Sequence, residues 1–576
     1  MKRNVCLFAS VLGSLLSFQV AQAQVTGKAQ VTGTAQVTGT AQATERAQGQ
    51  PVDGEVEDAE RAGEETQSES RDQDAALVQA EPLPKGYREV SSDLVSDLRK
   101  LCQATADTGL FSGAVLVADG DEVIYSEAFG MANREWGIPN TTDTKFRLAS
   151  VSKQFCTMLV MQLVQEGKVK LDDVITDFLP FYREDTGDRI TIHHLMSHQS
   201  GLKDFTADFD YRDKTSRLAF DKDEFIKLHC SGDLVHDPGT IYSYCNAGYC
   251  ILGRIIEKAT GKTFERNLQD RIFEPLGMKN SGYDRNRYVI DKRASGYTYG
   301  PFGFENCDYL DMGSSPGAAG ALYSTVEDMF LWDRALKTDK LLGKKYRELM
   351  FTPNKNVPEV KAAGGRLQSV YGYGWQIYTR THPVTKRRTK VTNHGGAISG
   401  FRAMENRLVD DDCFVVVLCN QGDAFGSAEI WSVVVRLSVE LIHVVTEQPY
   451  RMPGKRRLTQ DQRMYAMVKN EGVEATIDWF KAKGKRAAWG GSFSALSNRL
   501  IEDGRVEEGL RLMEMDVEMT PGKVWLLRKA AQANLDNGRP QKALTLSNKG
   551  LELRPGDERF SVIKSEAENA VQLMTE

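Results

Sequence analysis

The sequence predicts an α+β fold: an antiparallel sheet flanked by helices, with a helical subdomain between its strands, followed by an α-helical repeat tail. Three observations predict it. Strand-like segments stand at both ends of residues 87–448, helical patterns fill the middle, and a 34-residue period runs through 456–576. At the N-terminal end, Ser112-Gly-Ala-Val-Leu-Val-Ala and Glu122-Val-Ile-Tyr-Ser read as a hairpin across Asp119-Gly120. At the far end, Phe414-Val-Val-Val-Leu is a short β-branched run suited to a buried strand. Between them, Phe155–Gln165 stops at Gly167 and Tyr249–Ala259 stops at Gly261, each an apolar helical pattern with a terminating glycine. Strands at both ends with helices between favour an antiparallel sheet over an alternating parallel one.

In the tail, Gly504-Arg505 recurs as Gly538-Arg539, Leu510 as Leu544, Leu512 as Leu546, Glu518 as Glu552 and Pro521-Gly522 as Pro555-Gly556. A constant offset of this length, with glycine between paired helices, resembles tetratricopeptide repeats. A degenerate earlier unit starts near Met464, with Gly472 in the corresponding turn. So few units stack poorly alone, so the tail is expected to dock on the preceding α+β part and to offer a surface for a protein partner.

Residues 1–23 read as a signal peptide: Lys2 and Arg3, an apolar stretch from Val5, then the small-x-small site Ala21-Gln22-Ala23. Export to a bacterial periplasm or beyond the cell follows, with no transmembrane span left after cleavage. Residues 24–86 read as a disordered linker, a six-residue repeat from Gln24 followed by an acidic stretch. Residues 51–84 hold eleven acidic side chains and two arginines, which more than accounts for the formal net charge of −6. The folded part is therefore neutral, and nothing argues for a nucleic-acid partner. Eight cysteines follow the signal segment; CxxC pairs are absent, which argues against a zinc site, and their pairing stays open. Cys156 and Cys413 sit in apolar surroundings typical of buried thiols.

Gly261-Lys262-Thr263 lacks the earlier glycine of a phosphate loop and reads as a helix C-cap. HExxH does not occur. S-x-x-K occurs at Ser150–Lys153, Ser200–Lys203 and Ser561–Lys564, and only Ser150 opens a strongly apolar helix, Val151–Val164. There the hydroxyl meets the positive end of the helix dipole, and Lys153 lies one turn on along the same face. A lysine drawn into an apolar wall loses its proton readily and can act as base for the serine.

Tyr244-Cys245-Asn246 opens another helix, and His394-Gly395-Gly396 suits a strand edging a cleft. With these, the chain resembles the penicillin-recognising serine hydrolases: class C β-lactamases, D-alanyl-D-alanine carboxypeptidases and related esterases. Phe146-Arg-Leu-Ala-Ser150-Val-Ser-Lys153-Gln-Phe, Leu195-Met-Ser-His198-Gln-Ser-Gly201-Leu, Pro238-Gly239-Thr240, Gly317-Ala-Ala-Gly320-Ala-Leu-Tyr-Ser-Thr325 and Tyr371-Gly-Tyr-Gly-Trp375 match that family in order. The resemblance implies that Ser150 forms an acyl-enzyme and that Lys153 and Tyr244 share the proton traffic, Tyr244 as a phenolate base beside a cation. It implies that Asn246 holds the substrate amide and orients Lys153. His394 takes the third-motif position, Gly395 and Gly396 let substrate lie against the strand, and the N–H groups of Ser150 and Ala397 form the oxyanion hole. Arg402 is a candidate for a substrate carboxylate, and His198 reads as structural.

Three departures bear on substrate. Cys245 stands where the family commonly has serine, His394 replaces lysine, and the next residue is glycine rather than threonine. The two third-motif differences weaken the case for a β-lactamase, and a histidine there suits peptidase or esterase relatives. The resulting expectation is an exported serine hydrolase acting on a D-amino-acid peptide, ester or related amide, with no cofactor and no metal. The alternatives are a β-lactamase and a catalytically idle peptide-binding scaffold.

Overall fold

The computed structural model describes residues 82–575, except 209–210, 212–214, 301, 314–316, 355–359, 362–367, 424–428, 455–459 and 483–492. The signal segment, the six-residue repeat and nearly all of the acidic stretch lie outside the described residues.

Among the described residues, the main sheet has eight strands: β1 Gly113–Asp119, β2 Glu122–Phe129, β3 Val360–Lys361, β4 Gln368–Tyr371, β5 Gln376–Thr381, β6 Arg388–Ile398, β7 Phe401–Leu408 and β8 Cys413–Cys419. They lie in the order β3-β4-β5-β6-β7-β8-β1-β2, and every neighbouring pair is antiparallel. The N-terminal hairpin thus joins the C-terminal strands, with Val117 opposite Val415. The hairpin turns where it was read, Asp119 facing Glu122 and Gly120 at φ +56°.

Alternation along the strands divides the core. Ala114, Leu116, Ala118, Phe414, Val416 and Leu418 pack toward the helical subdomain. Val115, Val117, Val415 and Val417 pack the other way, under α1 (Leu94–Ala106) and a C-terminal helix (Glu429–Val445). A strand apolar on both faces is what a sheet covered by helices on both sides requires, and all seven residues of β8 are buried.

In the helical subdomain, α2 (Ser152–Gln165) runs beside α3 (Asn246–Thr260) and meets α4 (Val326–Ala335) through Trp332; the C-terminal helix Glu429–Val445 is α5. Every residue of α2 from Ser152 to Leu163 is buried. Phe155 stacks on Trp332 with centroids 4.2 Å apart, each ring contributing about 2–3 kcal/mol through burial. Gly261, at φ +68°, ends α3 in the left-handed conformation, so the Gly-Lys-Thr triplet is the C-cap its context indicated.

The tail follows as α6 (Gln460–Glu471), α7 (Val473–Ala482), α8 (Ser494–Glu502), α9 (Val506–Met519), α10 (Val524–Asp536), α11 (Pro540–Leu553) and α12 (Glu558–Thr575). The period is visible in the turns. Gly504 and Gly538 take φ +81° and +77°, and the following amides close equivalent bonds, Arg505 N–H to Leu500 O and Arg539 N–H to Asn534 O. Gly472 turns α6 into α7 at φ +87°. The tail touches the catalytic body at the hairpin 297–306. Gln462 Nε2 donates to the Tyr299 hydroxyl at 2.8 Å, and Tyr465 meets Phe302 edge-on at 4.7 Å.

All eight cysteines of the described residues are free thiols, Cys156 and Cys413 buried among them. Among the described residues, no helix is long and apolar enough to cross a membrane.

Candidate active site

Ser150 sits in a single 3-10 turn, Ala149–Val151, that feeds directly into α2. Ala149 holds φ +49°, an unusual conformation for a side-chain-bearing residue, and it tips the next side chain out of the helix line. The turn is clamped on both sides by the Gly317–Thr325 segment. Leu148 N–H donates to Leu322 O at 2.8 Å, and Leu322 N–H donates to Ser152 Oγ at 3.1 Å.

Lys153 is fully buried, and its Nζ lies 3.0 Å from Ser150 Oγ, 2.9 Å from Asn246 Oδ1 and 2.8 Å from Ala319 O. Burial pulls the amine down to about 7, against the weaker pull of the Asp204 carboxylate. A neutral amine has two N–H donors and one lone pair. The two acceptors that cannot donate, Asn246 Oδ1 and Ala319 O, take the donors, which leaves the lone pair for the Ser150 hydroxyl.

Tyr244 stands beside the Ser150 side chain, and Lys153 Nζ lies 5.0 Å from its ring centroid. Burial pushes the phenol well above its ordinary value. His198 explains how Tyr244 is held. Its ring lies 4.2 Å from that of Tyr244, and its Nδ1 accepts the Cys245 N–H at 3.1 Å. Ser243 N–H donates to His198 O at 2.8 Å, and the backbone of His198 is left-handed at φ +58°. The structural reading of His198 thus acquires an object, the Tyr244–Cys245 backbone. Cys245 is buried beneath that backbone, and burial raises its thiol, which keeps it protonated.

Asn246 opens α3 and spends its whole amide inside the protein. Oδ1 accepts from Lys153, while Nδ2 donates to Asp204 at 3.1 Å and to Thr206 Oγ1 at 3.3 Å. These bonds fix the Asn246 amide beside Lys153 Nζ.

The other wall is β6. His394 is buried, its Nε2 3.0 Å from the Tyr371 hydroxyl and its Nδ1 2.7 Å from Gly395 O. Burial, with Lys153 adding, takes the imidazole down to about 3, so it is neutral. The two glycines let β6 fit closely against its neighbours. A Cβ on Gly396 would stand 2.1 Å from Leu148 O, and one on Gly395 would stand 2.5 Å from the Trp431 ring. Gly396 therefore lets β6 press against the nucleophile turn, and Ala397 follows it, exposed at the edge. Arg402 is neither solvated surface nor a free carboxylate receptor. It pairs with Asp423 at 3.1 Å and donates to Ile398 O and Phe401 O at 2.9 and 2.7 Å. Asp423 in turn accepts the first amides of α5, from Ile430 and Trp431.

Sequence reasoning missed Asp204, Thr206 and the Ala319 carbonyl as partners of the site. Ala319 lies in a segment singled out for its motif, whereas Asp204 carries no signal beyond following Gly201-Leu-Lys. Among the described residues, no group of three or more histidine, cysteine or acidic side chains is placed to hold a metal.

A penicillin-binding protein of Bacillus subtilis (strain 168) is 27% identical over 370 residues, 62% of this chain and 77% of that protein. A D-aminopeptidase of Gluconobacter oxydans (strain 621H) is 28% identical over 367 residues, 59% of this chain and 62% of that protein. The crystal structure of D-amino acid amidase from Ochrobactrum anthropi SV3, complexed with L-phenylalanine amide, superposes with a TM-score of 0.52 at 25% identity. It covers 62% of this chain and the whole of that one. The sequence model of the Beta-lactamase family matches residues 98–438, more than half the chain, and the protein belongs to that family as a serine hydrolase.

Proposed function

We propose that this protein is exported and hydrolyses D-amino-acid amides, short peptides or esters through an acyl-enzyme on Ser150. The observation that carries the reading is the Lys153 amine, able to be neutral near pH 7, with both donors engaged and its lone pair left for Ser150 Oγ. Lys153 takes the hydroxyl proton as Oγ attacks the carbonyl. The oxyanion falls to the backbone N–H groups of Ser150 and Ala397. The Tyr244 phenol gives its proton to the leaving amine or alkoxide and is reprotonated through Ser150 and Lys153 when water discharges the acyl group.

The substrate side follows from charge. His394 is neutral and Arg402 is committed to Asp423, so this wall offers no cation to a carboxylate on the leaving group. That supports amides and esters over β-lactams and over peptides ending in D-Ala-D-Ala. The names of two relatives, a D-aminopeptidase and a D-amino acid amidase, support the D configuration.

The test sets the purified protein beside Ser150→Ala, with a fluorescent penicillin, a short-chain nitrophenyl ester, a D-Ala-D-Ala peptide and D- and L-phenylalanine amides. The expected result is Ser150-dependent turnover of the ester and the D-amide, with weak penicillin labelling. Equal rates for wild type and Ser150→Ala on every probe would sink the reading.

A further inference from the structure

Glu405 lies in β7 directly across from His394 of β6, on the face that meets α2. It is fully buried, and neither carboxyl oxygen has a hydrogen-bond partner among the described residues. Facing it is Gln154, the residue after Lys153. Gln154 is equally buried; its Oε1 accepts from Trp332 Nε1 at 2.9 Å, while its Nε2 is unpaired.

The surrounding charges do not serve Glu405. Arg407, two residues along β7, gives Nε to Asp333 at 2.5 Å. Arg334 of α4 pairs with Asp333 as well and turns outward to Asp121 at 3.2 Å and Asp412 at 3.6 Å. Lys153 of α2 is directed to Ser150, Asn246 and Ala319, and His394 of β6 is neutral. On the remaining side, β8 places Val416 opposite Glu405. A carboxylate here would be a buried charge without a counterion. A carboxylic acid would not: its carbonyl can accept from Gln154 Nε2, and its O–H can donate to the second lone pair of Gln154 Oε1.

We propose that Glu405 is a positioning residue that works as a neutral carboxylic acid, paired with Gln154 to fix the first turn of α2 and the aim of Lys153 at Ser150. Burial pushes its carboxyl up to about 8; Gln154 and Arg407 oppose the rise and Asp333 adds to it. The proposal rests on the Ser150 acyl-enzyme reading for its effect on rate, and its effect on stability is independent of that reading.

The experiment measures ester hydrolysis and thermal unfolding of wild type and Glu405→Gln from pH 5 to 10. Wild-type rate rises through about 7 as Lys153 loses its proton and falls about tenfold per pH unit above about 8 as Glu405 ionises. The buried Tyr244 phenol, held well above its ordinary value, does not supply that alkaline fall. Glu405→Gln keeps the neutral pairing, holds the pH 7 rate within about threefold and loses the alkaline fall. In unfolding, a raised carboxyl stabilises the fold fully below about 4.3, and that contribution is lost as pH rises to about 8. The midpoint of wild type therefore drops across that window relative to Glu405→Gln.

An unchanged alkaline fall in Glu405→Gln overturns the positioning role, even if the unfolding midpoints shift as expected. Identical midpoint profiles overturn the neutral acid. Failure of the acyl-enzyme reading alone leaves both proteins without turnover and the midpoint difference intact. If Glu405→Gln does not fold, carbon-13 titration of glutamate-labelled wild type decides: a carboxyl titrating near 8 is expected, and none above 6 overturns the proposal.

Discussion

Lys153 carries two demands that oppose each other in water: it must be close to Ser150 and it must be uncharged. Burial meets the second, bringing the amine to about 7, and the two acceptors Asn246 Oδ1 and Ala319 O meet the first by fixing where Nζ points. Acylation should therefore rise with pH up to about 7 and then level until Glu405 ionises, read as kcat/KM on the ester. Lys153→Arg keeps a side chain of similar reach but stays charged at every accessible pH, so its rate should fall by about 10³-fold with no recovery at pH 9. Recovery at pH 9 would mean that the base is another group. His394 offers the reverse experiment. In His394→Lys, a cation beside Tyr371 and Lys153 should raise the ratio of D-Ala-D-Ala peptide to D-amide turnover by about tenfold, since a charged hydrogen bond contributes roughly 1.5–3 kcal/mol. An unmoved ratio would place the leaving-group pocket elsewhere.

The nucleophile turn and β6 are parts of one device, and their residues show how much of it was legible. Ser150, Lys153 and Asn246 could be read because their spacing at helix starts has a chemical meaning, and the structure brings them within hydrogen-bonding distance. Gly396 was legible as a glycine but its purpose was not, because a contact between β6 and the carbonyl of Leu148 leaves no trace in local sequence. Arg402 misled for a similar reason: its partner Asp423 lies beyond β8, 21 residues away. Gly396→Ala should push β6 off Leu148 and cost about 1–3 kcal/mol of stability, with a loss in kcat/KM larger than the loss in folded protein. A variant of unchanged activity would show that the strand's approach to the turn is unimportant. Ala149→Gly, which relieves the left-handed φ of +49°, should gain up to about 1 kcal/mol of stability while loosening the turn and lowering kcat.

At the scale of the whole molecule, the 34-residue period announced the tail, but nothing periodic announced where it would dock. The contact is made by Tyr299 and Phe302, residues of a short hairpin with no helical or repeat signature, and by Gln462 and Tyr465 of α6. The tail's buried side chains form two clusters of their own, one around Leu510, Leu526 and Phe560 and one around Met464, Phe480 and Leu512; Phe302 is the body residue that packs against the second. Arg499 of α8 adds its guanidinium 5.6 Å from the Phe302 ring. A junction built on the Phe302 plug, the Gln462–Tyr299 hydrogen bond and the Arg499 contact should be separable from the fold of either part. Phe302→Ala removes this half-buried plug and should cost about 2 kcal/mol, nearly all of it at the junction. Ester hydrolysis by the variant should match wild type, because Phe302 lies outside the Ser150 cleft. Thermal unfolding should change shape, the tail melting first and the body later. Brief protease treatment should release the segment after 456 from the variant at least tenfold faster than from wild type, as an opening free energy lowered by more than about 1.4 kcal/mol requires. If release is unchanged, the tail is held by contacts other than this plug; if hydrolysis falls in parallel with release, the docked tail supports the site itself.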